Sequence, residues 1–256
     1  LIGTRDHKLT YLRDHNHKQN YQQIYPKQTN QYSFCPTEHN AHDLGFDTWP
    51  ALHEIFTHYS SGVISARDQF STDINRARLH DRIKRFIHSK NKSKPLLNEF
   101  KLKAKKGWSV DRAQMLLRAF LNHQDLESSL YPITYRPFIK RWICYHPSIV
   151  WTTAKSTQKH LLNTDNIALI SMRQYKKSVP EYSFIFANKG LTEARVFSSQ
   201  TGVASIFPLW LYSDDKNLVR TSNISTSFIQ SLIGHFDEKS VYKACAYIYA
   251  LLHSPI

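Results

Sequence analysis

The stretch TYRPFIKRWICYHPSIVW, residues 134–151, decides the predicted fold because it combines aromatic, branched apolar and cationic residues. Pro137 and Pro147 interrupt it, and each proline lacks the backbone N–H that a continuous helix requires. Its composition therefore favours two short strands joined by a bend. Phe138 and Trp142 are large enough to anchor a hydrophobic core, and we expect both rings to pack inside the protein.

Three cationic residues, Arg136, Lys140 and Arg141, lie within the same stretch. Long cationic side chains can reach the surface while their apolar neighbours pack beneath, which suits a platform that meets a polyanion. The alternative is an ordinary pair of core strands whose arginines form ion pairs within the protein. The stretch alone leaves both interpretations open.

Before this stretch, apolar residues recur at helical spacing. Residues 50–125 contain predicted helices at 74–89, 94–105 and from 110 onward, with Asp73 and Ser109 as candidate N-caps. Residues 1–49 show no strong periodicity beyond a short predicted helix near their start, and they are interpreted as a connector. The N-terminal half is therefore predicted to be a helical unit.

After Asp125 the apolar period changes to two, which is typical of strands. The predicted strands cover residues 130–135, 141–145, 167–172, 182–187, 193–197 and 203–212. Ser225 and Asp237 are candidate caps for two final helices. The predicted fold class is α+β, a helical unit followed by a β-rich unit with C-terminal helices.

The composition is that of a basic globular protein. The chain has 256 residues, 41% hydrophobic residues and a formal net charge of +14. A domain this basic usually meets nucleic acid or another anionic surface. No apolar run reaches the roughly 20 residues that span a membrane, so no membrane partner is predicted. The chain begins with Leu rather than Met, and we expect it to be part of a longer polypeptide.

Several classes of site are disfavoured. The seven glycines never form a GxG pattern, which disfavours a P-loop, a dinucleotide fingerprint and an S-adenosylmethionine loop. The three cysteines, Cys35, Cys144 and Cys245, are too far apart for a zinc motif, and their odd number suits a reducing cytoplasm. The histidines of the first 42 residues lack cysteine or acidic partners at ligand spacing, so no metal is predicted.

Positive charge is concentrated between Arg76 and Lys106. Twelve lysines and arginines lie there, and within that run only Asp81 and Glu99 are acidic. Phosphate groups would relieve their repulsion, and binding would then weaken steeply with salt. The alternative is a solvated helix face in a basic protein.

Signals for catalysis are weak. Glu99, Phe100 and Lys101 match the ExK half of a metal-dependent nuclease site, but they lie in a predicted helix without an upstream aspartate on a strand. No GxSxG or HExxH motif occurs. A self-contained metal-dependent nuclease and a basic protein-docking scaffold therefore remain the alternatives to a DNA-recognition module.

Five segments together resemble a known family. They occur in the order TYRPFIKRWICYHPSIVW (134–151), NIALISMRQ (166–174), FPLWLY (207–212), SNIS (222–225) and YIYALLHSP (247–255). This order resembles the C-terminal specificity region of Type ISP restriction-modification enzymes, which are single-polypeptide and ATP-dependent. SSGVISARDQF (60–70) resembles the start of that family's helical spacer, and GTRDHKLTYL (3–12) resembles the end of its methyltransferase.

The resemblance implies an organisation and a function. Residues 1–49 would connect to a methyltransferase domain, residues 50–125 would be the helical spacer, and residues 126–256 would be the target recognition domain. The chain would recognise a specific double-stranded DNA sequence without catalysis of its own. It would position an adenine N6-methyltransferase, and with it a nuclease and translocase, carried by the same or a neighbouring polypeptide. S-adenosylmethionine and ATP with magnesium would bind only in those other domains.

The resemblance also separates two classes of DNA contact. Residues matching the shared motifs should hold phosphates or the fold, because members of the family read different sequences. The predicted backbone contacts, with those of the basic helix, are Arg76, Lys84, Arg85, Arg136, Lys140, Arg141, Arg173 and Gln174. The predicted base readers lie outside the shared motifs, where amides and cations follow the predicted strands. They are Lys176, Lys177, Asn188, Lys189, Arg195, Ser199 and Gln200. For each of these the alternative is a turn residue chosen for its backbone conformation.

Overall fold

The computed structural model describes residues 5–14, 49–90, 93–102, 107–172, 184–198, 202–214 and 219–253. The chain divides into two compact units, Leu1–Ala51 and Leu52–Ile256. In the first unit, helix α1 (Arg5–Asp14) agrees with the short helix predicted there. Residues 15–48 lie outside the described residues, and the assignment of residues 1–49 as a connector stays a prediction.

The second unit contains helices before, within and after its strands. They are α2 (Leu52–Ile55), α3 (Asp68–Ser71), α4 (Arg76–His88), α5 (Ser93–Glu99), α6 (Val110–Leu121), a 3-10 helix (Leu126–Ser129), α7 (Lys155–Gln158), α8 (Thr226–Ile233) and α9 (Glu238–Leu252). The mixture of helices and sheets confirms the predicted α+β class. Within the described ranges, no helix combines the length and apolar character needed to cross a bilayer.

Three of the four predicted N-caps are confirmed. The side chains of Ser109, Ser225 and Asp237 each accept a backbone N–H from the first turn of the following helix. Asp73 is not a cap, because α4 begins at Arg76 and Asn75 accepts the N–H of Arg78 at 3.0 Å. A side-chain cap satisfies an N–H that has no partner inside the helix.

The strands form two four-stranded sheets and a separate hairpin. They are β1 (Ser60–Ser61), β2 (Thr72–Asp73), β3 (Leu130–Arg136), β4 (Ile139–Cys144), β5 (Ile167–Ser171), β6 (Ile185–Lys189), β7 (Leu191–Thr192), β8 (Ser205–Pro208), β9 (Trp210–Tyr212) and β10 (Arg220–Ser222). One sheet has the order β1-β8-β5-β6 and the other β2-β4-β3-β7, and β9 pairs with β10 in a two-stranded sheet.

Two predicted strands are corrected. Residues 193–197 are not a strand, since Glu193 makes only an isolated bridge to Val63 and the following residues turn. The strand lies just before them, at Leu191–Thr192, and pairs in parallel with β3. The predicted strand 203–212 is divided into β8 and β9, which belong to different sheets.

The helical part and the β-rich part share a sheet. Strand β2 precedes helix α4 in the chain, yet Thr72 and Asp73 pair with Ile143 and Trp142 of β4. A core of buried side chains from α4, α6 and the β3–β4 hairpin joins the same elements. The boundary at residues 125 and 126, between spacer and recognition domain, stays a prediction.

Three phenylalanines centre this core. The rings of Phe70, Phe86 and Phe100 lie with centroids 4.9 to 5.7 Å apart, edge to face. Each buried aromatic ring of this size contributes about 1.5–3 kcal/mol through removal of apolar surface from water. Trp142 packs against this core as predicted, but Phe138 is 89% exposed, so the prediction that it anchors a core is wrong.

Candidate nucleic-acid interface

The β3–β4 hairpin presents its turn to solvent. Arg136 pairs with Ile139 across the strands, which leaves Pro137 and Phe138 as a two-residue turn. Phe138 has a φ of 63°, in the left-handed region. Proline followed by a residue with positive φ matches a type II turn, in which glycine usually occupies the second position. The hairpin therefore carries a bulky exposed ring where the backbone favours glycine.

Tyr135 organises two of the predicted phosphate-binding arginines. The guanidinium carbons of Arg136 and Arg141 lie 4.1 and 4.0 Å from the centroid of its ring. Its hydroxyl donates to Asp68 Oδ2 at 2.6 Å, which fixes the ring. The pairing register shifts between Thr134 and Arg136, so the backbone bulges at Tyr135. A cation over an aromatic face is stabilised by the ring quadrupole, and both arginines are thereby oriented.

Arg136 also faces a buried carboxylate. Its Nη1 lies 3.4 Å from Glu193 Oε2, and the backbone N–H of Arg195 donates to the same oxygen at 2.6 Å. Burial raises the pKa of the Glu193 carboxyl to about 7, because the opposing effects of Arg195 and Arg136 do not offset desolvation and the nearby Asp68 carboxylate. Near neutral pH, Glu193 is therefore only partly ionised and neutralises Arg136 incompletely.

Lys140 is held by a polar cluster beside the second sheet. Its ammonium donates to Thr134 Oγ1 at 2.5 Å and to Asn188 Oδ1 at 2.8 Å. Partial burial lowers the pKa of Lys140. The side chain is thus held by contacts within the protein, with a third at 3.4 Å to the backbone carbonyl of Lys189, and its contact with the DNA backbone stays a prediction.

The prediction that Asn188 reads a base is corrected by its geometry. Asn188 is 8% exposed and lies in β6, not in a loop. Its amide donates to Thr192 Oγ1 at 2.9 Å and to the carbonyl of Gly190 at 3.3 Å, while its oxygen accepts from Lys140 and Thr134. Both ends of the carboxamide are occupied inside the protein, so Asn188 connects the two sheets rather than reaching a base.

Two other predicted base readers remain accessible. Lys189 is exposed at the end of β6 and pairs with the exposed Asp165 at 2.5 Å, an ion pair of the kind that contributes little to stability. Arg195 is exposed in the turn that follows β7. Arg173, Gln174, Lys176, Lys177, Ser199 and Gln200 lie outside the described residues. Their roles, like those of Lys189 and Arg195, stay predictions.

Acidic residues outside the basic run 76–106 neutralise part of the positive charge of helix α4. Asp73 accepts from Arg78 at 3.0 Å and from Arg82, and Arg76 pairs with Glu127. Two acidic residues outside residues 76–106 therefore take up charge that the sequence appeared to leave unopposed. Such pairing weakens the argument that the whole run requires an anion.

The exposed face of α4 still carries free positive charge. Arg85 is 68% exposed and faces Glu99 at a long 3.4 Å, and Lys84 is exposed beside it. Exposed cations at these positions could contact phosphate with little rearrangement. The Arg85 side chain is more exposed than that of Arg76, which is 46% exposed, and the role of Lys84 and Arg85 stays a prediction.

The acidic residue of the possible nuclease motif makes a different contact. Glu99 ends α5 and faces Arg85, and Lys101 follows with a φ of 50°. Across the part of the chain that the structure describes, no group of three or more His, Cys, Asp or Glu side chains could hold a metal ion.

Sequence reasoning did not identify the residues that orient these arginines. Tyr135 lies in the aromatic stretch 134–151, and nothing in the sequence marks Asp68 or Glu193 as a partner of that stretch. The contacts join residues separated by up to 67 positions, from Asp68 to Tyr135. An aromatic residue directly beside an arginine was the one local signal, and it does not specify the distant acids.

Solved structures share this fold. A DrdV–DNA complex determined by cryo-EM is 19% identical over 98% of this chain, with a TM-score of 0.59. LlaBIII, an ATP-dependent Type ISP restriction-modification enzyme bound to DNA, is 20% identical over 78%, with a TM-score of 0.55. A nuclease-deletion mutant of the Type ISP enzyme LlaGI, in complex with a DNA substrate mimic, is 19% identical over 98%, with a TM-score of 0.55. The fold is thus one that occurs in restriction-modification enzymes.

The sequence identifies the family more narrowly. The model of the Type ISP C-terminal specificity domain matches residues 54–256, and the chain belongs to this family. The resemblance to the Type ISP specificity region is thereby confirmed, whereas the resemblance of residues 3–12 to the end of a methyltransferase stays a prediction. The chain spans 26%, 13% and 23% of the three structures above, respectively. Comparison with curated protein sequences gives no match.

Proposed function

We propose that this chain is a sequence-specific double-stranded DNA recognition module of a Type ISP restriction-modification enzyme. The observation that carries the proposal is the match of residues 54–256 to the family's specificity domain. Its structural neighbours were solved with DNA or a DNA mimic bound, which supports duplex DNA as the partner.

The geometry suggests how the hairpin takes part. Arg136 and Arg141 are oriented by one tyrosine ring, and Lys140 is held beside them by Thr134 and Asn188. Preoriented cations lose little side-chain entropy when they bind, so they suit phosphate contacts that set the register of the protein on DNA. Base readout then belongs to exposed side chains such as Lys189 and Arg195.

The chain positions catalysis that resides elsewhere. In this proposal a methyltransferase domain of the same or a neighbouring polypeptide binds S-adenosylmethionine and modifies one adenine, which must leave the base stack to be reached. The chain itself supplies no catalytic residue, and it acts in the cytoplasm, where the DNA is. Glu99 faces Arg85 at 3.4 Å, and in this proposal it acts as an ion-pair partner rather than as a nuclease ligand.

Selection from a random duplex library tests the proposal directly. The purified chain is expected to enrich a defined sequence, and its affinity for that duplex should fall steeply as salt increases. Binding to random duplexes without enrichment would contradict sequence specificity. No binding to any duplex, with binding to an acidic protein instead, would favour the docking scaffold.

Cleavage assays address the nuclease alternative. With magnesium or manganese present, the isolated chain is expected to leave the selected duplex intact. Cleavage that Glu99→Ala abolishes would contradict the proposal, whereas cleavage that survives this change would indicate a contaminant. Asp81→Ala is the matched control, because it removes another exposed carboxylate of the helical part and leaves the ExK residues in place.

A further inference from the structure

The tip of the β3–β4 hairpin is apolar and surrounded by cations. Phe138 is 89% exposed and the adjoining Ile139 is 49% exposed. Arg136 precedes the tip and Lys140 follows it, each positioned by contacts within the protein. An isolated exposed apolar residue is ordinary, but a protruding pair of apolar residues bracketed by fixed cations is a specific arrangement.

The backbone at the tip does not favour this residue. Phe138 adopts a φ of 63°, a conformation that side chains with a Cβ rarely take. Glycine would close the same turn without that strain and without exposing a ring to water. The turn alone therefore does not explain the phenylalanine, and a partner that receives the ring would.

The ring is supported from one side. It meets Phe186 of β6 edge to face, with centroids 5.4 Å apart. Phe186 itself packs on a buried cluster of the second sheet. Phe138 thus contacts the edge strand β6 through one edge of its ring, while most of its surface faces solvent.

We propose that Phe138 is a wedge that inserts between neighbouring base pairs of duplex DNA at the recognised site. This inference rests on the proposed function and adds a residue that contacts the base stack. Phenylalanine is among the residues that enter base steps and partly unstack them, which bends the duplex. Charge complementarity identifies the occupant: the cations at both ends of the turn would meet phosphates while the ring enters the step.

Insertion explains the position of the ring in physical terms. Beyond its pairing with β2 and β7 the hairpin is two-stranded, from Tyr135 to Arg141, and a two-stranded β-ribbon is narrow enough to enter a groove. Stacking of an aromatic side chain on a base is tolerant of sequence, whereas deformation of the step depends on it. The wedge would thus add specificity through the deformability of one base step, without a hydrogen bond to a base.

Permanganate footprinting with bend measurements tests the wedge. The probe is the duplex selected by the intact chain, with donor and acceptor dyes on its ends for energy transfer. Bound wild-type protein is expected to make thymines at one step reactive to permanganate and to bring the duplex ends closer. Phe138→Ala should lose both effects and weaken binding about tenfold. Phe138→Trp should retain them, because a larger ring still stacks.

The control variant is Tyr247→Ala on α9, which removes another exposed aromatic ring, 50% exposed in the protein. It should leave reactivity, bending and affinity at wild-type values. Thermal unfolding of each variant checks folding, and the exposure of Phe138 predicts little change in melting temperature for its replacement by alanine.

The outcomes separate the wedge from the proposed function. If the wild-type chain binds no duplex, both fail. If it binds a specific duplex but shows no reactive thymine and no bend, or if Phe138→Ala retains both, the wedge fails and recognition stands. A loss of affinity in Phe138→Ala, with neither permanganate reactivity nor a bend in the wild-type complex, would also overturn insertion.

Discussion

The ammonium of Lys140 donates to the side-chain oxygen of Asn188 at 2.8 Å, and this bond joins the hairpin of one sheet to the edge strand of the other. Asn188 is buried, and its amide nitrogen donates in turn to Thr192. The contact gives a cation at the candidate interface a fixed anchor, and it makes the buried asparagine a structural residue whose replacement should affect stability first.

We expect Asn188→Leu to lower the free energy of unfolding by about 2 kcal/mol or more, because Thr134, Lys140 and Thr192 would lose their buried partner. Urea denaturation measures this change. The sequence preference of the folded fraction should stay that of the wild type. A variant of wild-type stability that prefers different sequences would show instead that Asn188 reads a base. Asp165→Ala, which removes only the exposed partner of Lys189, is the control and should be nearly neutral.

Local signals predicted the helices well. Ser109, Ser225 and Asp237 begin their helices because a side-chain oxygen can satisfy an N–H within three residues, which the sequence displays directly. Asp73 has the same chemistry but lies in a strand paired with β4, and its carboxylate is bound to Arg78 and Arg82. Its tertiary contacts hold Asp73 in β2 and leave Asn75 as the N-cap of α4. No local pattern in the sequence shows these contacts.

Two predictions in the β-rich part are wrong, the strand at 193–197 and the burial of Phe138. In both, the burial of a side chain does not follow from strand structure. Ala194 and Val196 are buried and Arg195 is exposed, so residues 194–196 alternate like a strand although they form a turn. Phe138 was expected inside because of its size, but its position in the turn places it outside. Its neighbour Pro137 was the available signal, since proline often begins such a turn.

Tyr135 should contribute to DNA binding through its ring, on which Arg136 and Arg141 stack, rather than through its hydroxyl. Tyr135→Phe keeps the surface under Arg136 and Arg141, whereas Tyr135→Leu removes it and frees both guanidiniums. We expect Tyr135→Phe to bind the selected duplex within about threefold of wild type and Tyr135→Leu to bind about tenfold more weakly, because each cation–π contact contributes about 0.5–1 kcal/mol. Fluorescence anisotropy measures both. Equal loss in the two variants would assign the effect to the hydroxyl and its bond to Asp68.

Phosphate contacts and base contacts should differ in their response to sequence. Lys84→Ala is expected to weaken binding to all duplexes by a similar factor and to reduce the slope of log affinity against log salt by about 1. Arg195→Ala is expected to relax preference at one position of the site while changing non-specific binding little. Titrations over a salt series, on the selected duplex and on a scrambled one, distinguish the two. Unchanged relative affinities after Arg195→Ala would remove it from the base readers.

The buried carboxyl of Glu193 should make stability depend on pH. Its pKa is raised by burial from 4.5 to about 7, so between these values the folded protein binds more protons there than the unfolded chain. The free energy of unfolding should therefore fall as pH rises through this window and level off above it.

Glu193→Gln keeps the shape and the acceptor oxygen of that side chain but cannot ionise, so it should remove this part of the slope. Urea denaturation of both proteins between about pH 5 and pH 8 measures the difference, which isolates Glu193 from the histidines that titrate in the same range. Because the wild-type carboxylate is desolvated above its pKa, the variant should gain stability relative to wild type as pH rises. Parallel curves for the two proteins would mean that the carboxyl stays ionised throughout, held by Arg136 and the N–H of Arg195.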